Sequence, residues 1–162
     1  MISILHTADW QIGRVFSQFE PDDAAALFEA RFAVVERLAG IATDRGVDAI
    51  LVAGDVFDAQ TVADKTIRRL FNAMQGFTGT WVLMPGNHDA ALAESVWSRA
   101  QRLGVIPGNV IVCLEPKPVV VAGKFTLLPA PLTQRHTYVD LTEWFAAHVP
   151  TDDLPRIGLA HG

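Results

Sequence analysis

The chain has 162 residues, 50% of them hydrophobic and 19% charged, with a formal net charge of −5 at pH 7. That balance excludes intrinsic disorder and predicts one domain over residues 1–162, burying roughly 70% of the surface its unfolded chain would expose. An acidic chain also argues against nucleic-acid binding through overall charge, so any such contact has to rest on a local patch.

Ile2–His6 reads as the first strand, running into Thr7-Ala8-Asp9. Residues two apart in a strand share a face, so His6 lies with Ile2 and Ile4 and reads as a hydrogen-bonded support, not a ligand. Nothing basic precedes Met1-Ile2, so no leader segment is expected. The apolar runs are all far shorter than the ~20 residues of a membrane span, so no membrane association is expected.

After a loop at Trp10-Gln11-Ile12-Gly13-Arg14, Pro21-Asp22-Asp23 opens a long helix. Proline suits the first turn, and acidic side chains complement the helix dipole there. Phe28, Phe32, Val35, Leu38, Ala39 and Ala42 supply its inward stripe, and Gly46 stops it. Ala49–Ala53 then shows no alternation of polar and apolar residues, the mark of a strand covered on both faces. The strand–helix–strand unit from Ile2 to Gly54 predicts a right-handed parallel crossover. Ligands of such sheets bind just beyond the carboxyl ends of the strands, where Gly54-Asp55 lies. A carboxylate there has two oxygens that can bridge two hard cations.

A second helix is predicted over Thr61–Met74, with Ile67, Leu70, Phe71 and Met74 inward and Arg68 and Arg69 on a solvated face. The strand Thr80–Met84 ends in Pro85-Gly86-Asn87-His88-Asp89. A third helix is predicted over Leu92–Leu103, stopped by Gly104. Asn109–Leu114, Pro118–Ala122 and Phe125–Leu128 read as short strands, the last two joined by a tight turn at Gly123-Lys124. The second half therefore leans toward antiparallel pairing. Cys113, the only cysteine, lies among Val110, Ile111, Val112 and Leu114 and reads as a small buried hydrophobe. Without a disulfide framework, the expected compartment is a reducing cytoplasm. Asp140–Val149 predicts a short helix, and Arg156–Ala160 a buried strand ending at His161-Gly162. The class is α/β, with an α+β tendency in the second half.

Asp9, Asp55, Asn87 and His161 all follow strands whose ends can meet at one crevice. Hard oxygen ligands mixed with imidazole suit Mn²⁺, Fe²⁺ or Zn²⁺ better than an all-oxygen Mg²⁺ site. Two such ions clamp a phosphate and activate a water between them. His88 is then placed to reach a scissile phosphate, and Asp89 to orient His88 through a hydrogen bond.

The motifs His-Thr-Ala-Asp-Trp-Gln at 6–11, Gly-Asp-Val-Phe-Asp at 54–58, Gly-Asn-His-Asp at 86–89 and Ala-His-Gly at 160–162 resemble the calcineurin-like metallophosphoesterases. Within these, the first two resemble most the DNA double-strand-break repair exonucleases, the nuclease subunits of SbcCD-type complexes. The resemblance implies a metallophosphoesterase-type β-sandwich flanked by helices, truncated after the strand ending at His161. It implies that Asp9 binds a first metal, Asp55 bridges both, and Asn87 and His161 bind the second, with His88 as the catalytic histidine. It further implies Mn²⁺-dependent hydrolysis of DNA by exonuclease and endonuclease action. The implied partners are DNA, a coiled-coil ATPase subunit, and a second copy docked through helices of this domain. Phosphate contacts from Arg14, Arg99, Arg102 or Arg135 would suit a chain this acidic.

Two positions depart from the family pattern. The family's first motif is Asp-x-His, and Gln11 stands at the histidine, where its amide oxygen is a poorer ligand for the first metal. The family also has a downstream Gly-His-x-His that donates one imidazole to each metal. The expectation is therefore an N-terminal part of a longer protein, weak in hydrolysis by itself. Two further readings stand beside the nuclease: a phosphodiesterase for a nucleotide or other small molecule, and a weakly catalytic scaffold that binds DNA or the ATPase.

Overall fold

The computed structural model describes residues 1–162. Its first sheet is parallel, in the order β1 (Ile4–Thr7), β2 (Ala49–Ala53), β3 (Thr80–Met84), β4 (Val110–Val112). A second sheet holds β5 (Val119–Val121), β6 (Phe125–Ala130) and β7 (Arg156–Ala160). Helices α1 (Pro21–Arg45), α2 (Asp64–Ala73) and α3 (Val96–Arg102) belong to the first sheet's crossovers, and α4 (Trp144–Ala147) lies between β6 and β7.

Strand β2 shows why its sequence has no polar face. Ile50 and Val52 enter a core with Phe32, Val35 and Ala39 of α1 and Ile67, Leu70 and Phe71 of α2. Ala49, Leu51 and Ala53 point the other way, into a core with Leu127 of β6 and Leu159 of β7. The first sheet is thus the middle layer between helices and a second sheet, which is the α/β sandwich the resemblance implies. Each large side chain buried this way contributes about 1.5–3 kcal/mol. Cys113 belongs to the inter-sheet core, and burial pushes its thiol up to about 12, so it acts as a hydrophobe.

Helix α1 begins at Pro21 and ends where Gly46 takes the left-handed conformation (φ 58°), as its sequence predicts. Four expectations need correction. The third helix starts at Val96, because Ser95 caps it by accepting the Ser98 amide, and the preceding residues form the loop below the site. Antiparallel pairing is confined to β5–β6, while β3–β4 and β6–β7 are parallel, each reached by a crossover through helical chain. The β5–β6 turn is centred on Ala122 and Gly123, both left-handed, and not on Gly123-Lys124. His6 on the edge strand β1 is exposed and makes no side-chain hydrogen bond, so it is not the hydrogen-bonded support its sequence suggests.

Register sets the site. Thr7 pairs with Val52 and Val52 with Leu83, so β1, β2 and β3 finish level, and the residues that follow them emerge at one edge. In the second sheet β7 ends at Ala160 beside Ala130, delivering His161 to the same edge. No helix is long and apolar enough to cross a membrane.

Candidate metal centre

Four strand ends supply this centre. Asp9 follows β1, Asp55 follows β2, Asn87 follows β3 and His161 follows β7. The turns that present them are tied together through the main chain: the Asp9 amide donates to Gly54 O (3.1 Å) and the Gln11 amide to Asp55 O (2.8 Å). Asp9 (φ 56°), Gln11 (φ 43°) and Asp55 (φ 52°) all hold left-handed backbone. That conformation is tolerated by Asp and is costly for Gln, and strain of this kind gathers at functional sites.

Ligand atoms of Asp9, Asp55 and His161 lie within 4.8 Å of one another. The His161 ring fixes how they face. Its Nδ1 lies 2.7 Å from Ala53 O. A carbonyl can only accept, so Nδ1 carries the proton and the Nε2 lone pair points into the site. That atom is 3.0 Å from Asn87 Oδ1 and 3.5 Å from Asp55 Oδ1. In the neutral imidazole the three converging atoms are all lone-pair donors, an arrangement that suits a cation.

Electrostatics points the same way. Asp55 is 2% exposed, and its ion-pair contacts are the imidazoles of His88 and His161, with no lysine or arginine among them. A buried carboxylate without a fixed cation is costly to fold, so the residues fit a hard divalent ion. The space is kept by two glycines. A Cβ on Gly86 would sit 2.2 Å from Asp55 Oδ1 and 2.4 Å from the Asp55 amide nitrogen. One on Gly54 would sit 2.4 Å from Cγ of the His161 ring.

His88 stands on the opposite side of Asp55. Its amide donates to Asp55 Oδ1 (2.9 Å), and its Nε2 lies 3.9 Å from Asp55 Oδ2. Its Nδ1 lies 2.8 Å from the main-chain oxygen of Asp58, which by the same reasoning holds the proton on Nδ1 and leaves Nε2 facing outward. A cleft of about 410 Å³ opens there, lined by Asp58, Gln60, Asn87, His88 and Arg135 among others.

Two sequence expectations change in this setting. Asp89 does not orient His88. Its carboxylate, fully buried, accepts the Gly86 amide (2.7 Å) and the Phe57 amide (3.1 Å), sewing the loop after β3 to the loop after β2. Burial raises its pKa to about 6 despite those amides. The side chain expected to ligate the first metal through its oxygen, Gln11, has that oxygen 2.5 Å from the Arg14 guanidinium, which donates to it. Sequence reading also missed Asp58, Gln60 and Trp97. Gln60 bridges Ala90 O and the Val96 amide, and Trp97 Nε1 donates to Asp89 O (2.6 Å), so both brace the loop that carries His88. Asp58 acts through its carbonyl, which no side-chain pattern reveals.

A prediction follows for the loop brace. Asp89→Ala strands two buried amides, at about 1–3 kcal/mol each, and should lower stability by about 2–5 kcal/mol. At this chain length that is a fall in Tm of roughly 5–15 °C, measured in chelator to keep metal out. Asp89→Asn retains one acceptor and should fall between. Unchanged Tm with a turnover loss would instead return Asp89 to service on His88.

The calcineurin-like phosphoesterase family model matches residues 2–161. The SbcD component of nuclease SbcCD from Rhodobacter capsulatus is 38% identical over 93 residues, which cover 54% of this chain and 22% of that relative.

Proposed function

The chain belongs to the calcineurin-like phosphoesterase family, which supports metal-dependent phosphoester hydrolysis, and on that premise we propose that its substrate is the phosphodiester backbone of DNA. The observation that carries the hydrolytic reading is the convergence of His161 Nε2, Asn87 Oδ1 and Asp55 Oδ1 on one point. The likeness to a component of an SbcCD nuclease supports DNA over a small-molecule ester. It also supports an SbcC-like ATPase partner, and the same reading includes pairing of two copies through helices of this domain. Asp9, Asp55, Asn87 and His161 would hold divalent cations, Mn²⁺ foremost, with Asp55 shared between them. Such cations, when bound, supply Lewis-acid charge at the phosphate and lower the pKa of water.

The remaining work falls to this chain's own residues. Asp58 O holds the His88 ring at Nδ1, and the ring lines the cleft with Nε2 3.9 Å from Asp55 Oδ2. With a proton carried on Nε2, His88 is placed to give it to the leaving oxygen. Gly54 and Gly86 let the His161 ring and the Asp55 carboxylate pack against the loops that carry them.

The full-length protein should hydrolyse both bis-p-nitrophenyl phosphate and a single-stranded oligodeoxynucleotide when Mn²⁺ is added, and neither in chelator. Hydrolysis of the small ester without the oligonucleotide would favour the nucleotide phosphodiesterase reading. DNA binding with Mn²⁺ bound and no hydrolysis would favour the scaffold.

A further inference from the structure

Four arginines were candidates for phosphate contacts, and the structure separates them. Arg99 pairs with Asp64 and donates to Val62 O, and Arg102 pairs with Glu94. Those two charges are already answered. Arg135 is exposed on the wall of the His88 cleft. Arg14 is different again, because it has company.

Arg14 and Arg31 both approach the Phe16 ring, with guanidinium carbons 6.0 and 5.1 Å from its centroid. Neither forms an ion pair with a carboxylate. Arg31 comes from α1 and donates to Trp10 O (2.6 Å), and its Nε is buried with no partner. Arg14 donates to Gln11 Oε1 (2.5 Å). Both anchors, Trp10 and Gln11, belong to the loop that begins at Asp9 and is bonded to the Asp55 turn. Two guanidiniums are thus held at one aromatic ring by the loop that follows Asp9, in a chain whose net charge is −5. Burial and then the Arg14 charge depress the Arg31 pKa, and the Asp58 charge opposes them. Like charges held together on neutral anchors are stabilised when an anion lies between them, and guanidinium geometry matches phosphate oxygens.

We propose that Arg14 and Arg31, held over Phe16 by Gln11 and Trp10, form a binding site for a backbone phosphate of single-stranded DNA next to the scissile one. This rests on the DNA reading above. It also gives Gln11 a job that its neutral amide performs well. Where the family pattern has a metal-binding histidine, this chain has a positioning residue for Arg14.

The test is fluorescence anisotropy of a labelled single-stranded oligodeoxynucleotide, in chelator so that no metal contributes, across a range of salt. Each phosphate neutralised on a single strand adds about 0.7 to the slope of log K against log salt. Arg14→Gln and Arg31→Gln should each weaken binding severalfold and reduce that slope by about 0.7. Arg14→Lys should keep the slope. Gln11→Ala should weaken binding with the slope retained, an effect that metal ligation cannot produce under these conditions. Arg102→Gln removes an equal charge elsewhere and should leave both quantities as in the parent. Parental affinity and slope in both Arg14→Gln and Arg31→Gln would overturn the inference while leaving the DNA reading intact. A parent that does not bind the oligonucleotide at all would overturn both.

Discussion

Asp55→Asn should abolish measurable Mn²⁺ binding and bring hydrolysis to background, with the fold retained. The carboxylate stands at the centre of everything the site offers a cation. One oxygen faces His161 Nε2 at 3.5 Å and the other faces His88 Nε2 at 3.9 Å. Asparagine keeps one oxygen, enough to accept the His88 amide, but replaces the other with a donor and removes the charge. Changes in residues that merely support a metal ligand cost about 10–100-fold in affinity, and loss of a shared carboxylate should exceed that. The metal-free protein should be at least as stable as the parent, because a buried charge without a fixed partner is gone. Titration calorimetry with Mn²⁺ and thermal denaturation in chelator read the two effects separately. A parental Mn²⁺ isotherm in Asp55→Asn would show that the metal lies elsewhere.

His88→Ala should behave in the opposite manner: metal retained, turnover lost. The ring touches Asp58 O and Asp55 but lies across the carboxylate from the Asn87–His161 pair. Its side chain is 30% exposed, toward the cleft, against 8% for His161. Loss of a positioned proton donor costs about 10²–10⁴ in rate, or roughly 3–5 kcal/mol of barrier. The Mn²⁺ isotherm should match the parent, since no atom of His88 belongs to the converging set. If metal affinity fell in step with turnover, His88 would be a ligand and the proton-transfer role would be lost. Comparing this isotherm with that of Asp55→Asn is the sharpest division between holding the ions and using them.

Much of this architecture was legible before any coordinates. Unbroken apolar runs such as Ile50–Ala53 identify strands buried on both faces, and Gly46 and Pro21 mark the ends of α1, because these signals depend on neighbours in sequence. Parallel strands end level, so the positions just after them share an edge, and the grouping of Asp9, Asp55, Asn87 and His161 follows from topology alone. What the amino-acid sequence could not decide is which atom each side chain turns toward. The sequence suggests a hydrogen bond from Asp89 to His88, yet the Asp89 carboxylate goes to the Phe57 amide, 32 positions away. His88 is oriented by Asp58 O, 30 positions away, and His161 by Ala53 O, 108 positions away. Gln11 meets Arg14 within its own loop, but the second guanidinium reaches that loop from α1. Burial sets these choices: a polar atom leaving water must take the partner that the packed backbone brings within about 3 Å, and main-chain groups leave no mark in the pattern of side chains. The residue types of the site and the edge they share were determined by sequence; their proton positions, their supports and the pairing of Arg14 with Arg31 were decided only by tertiary structure.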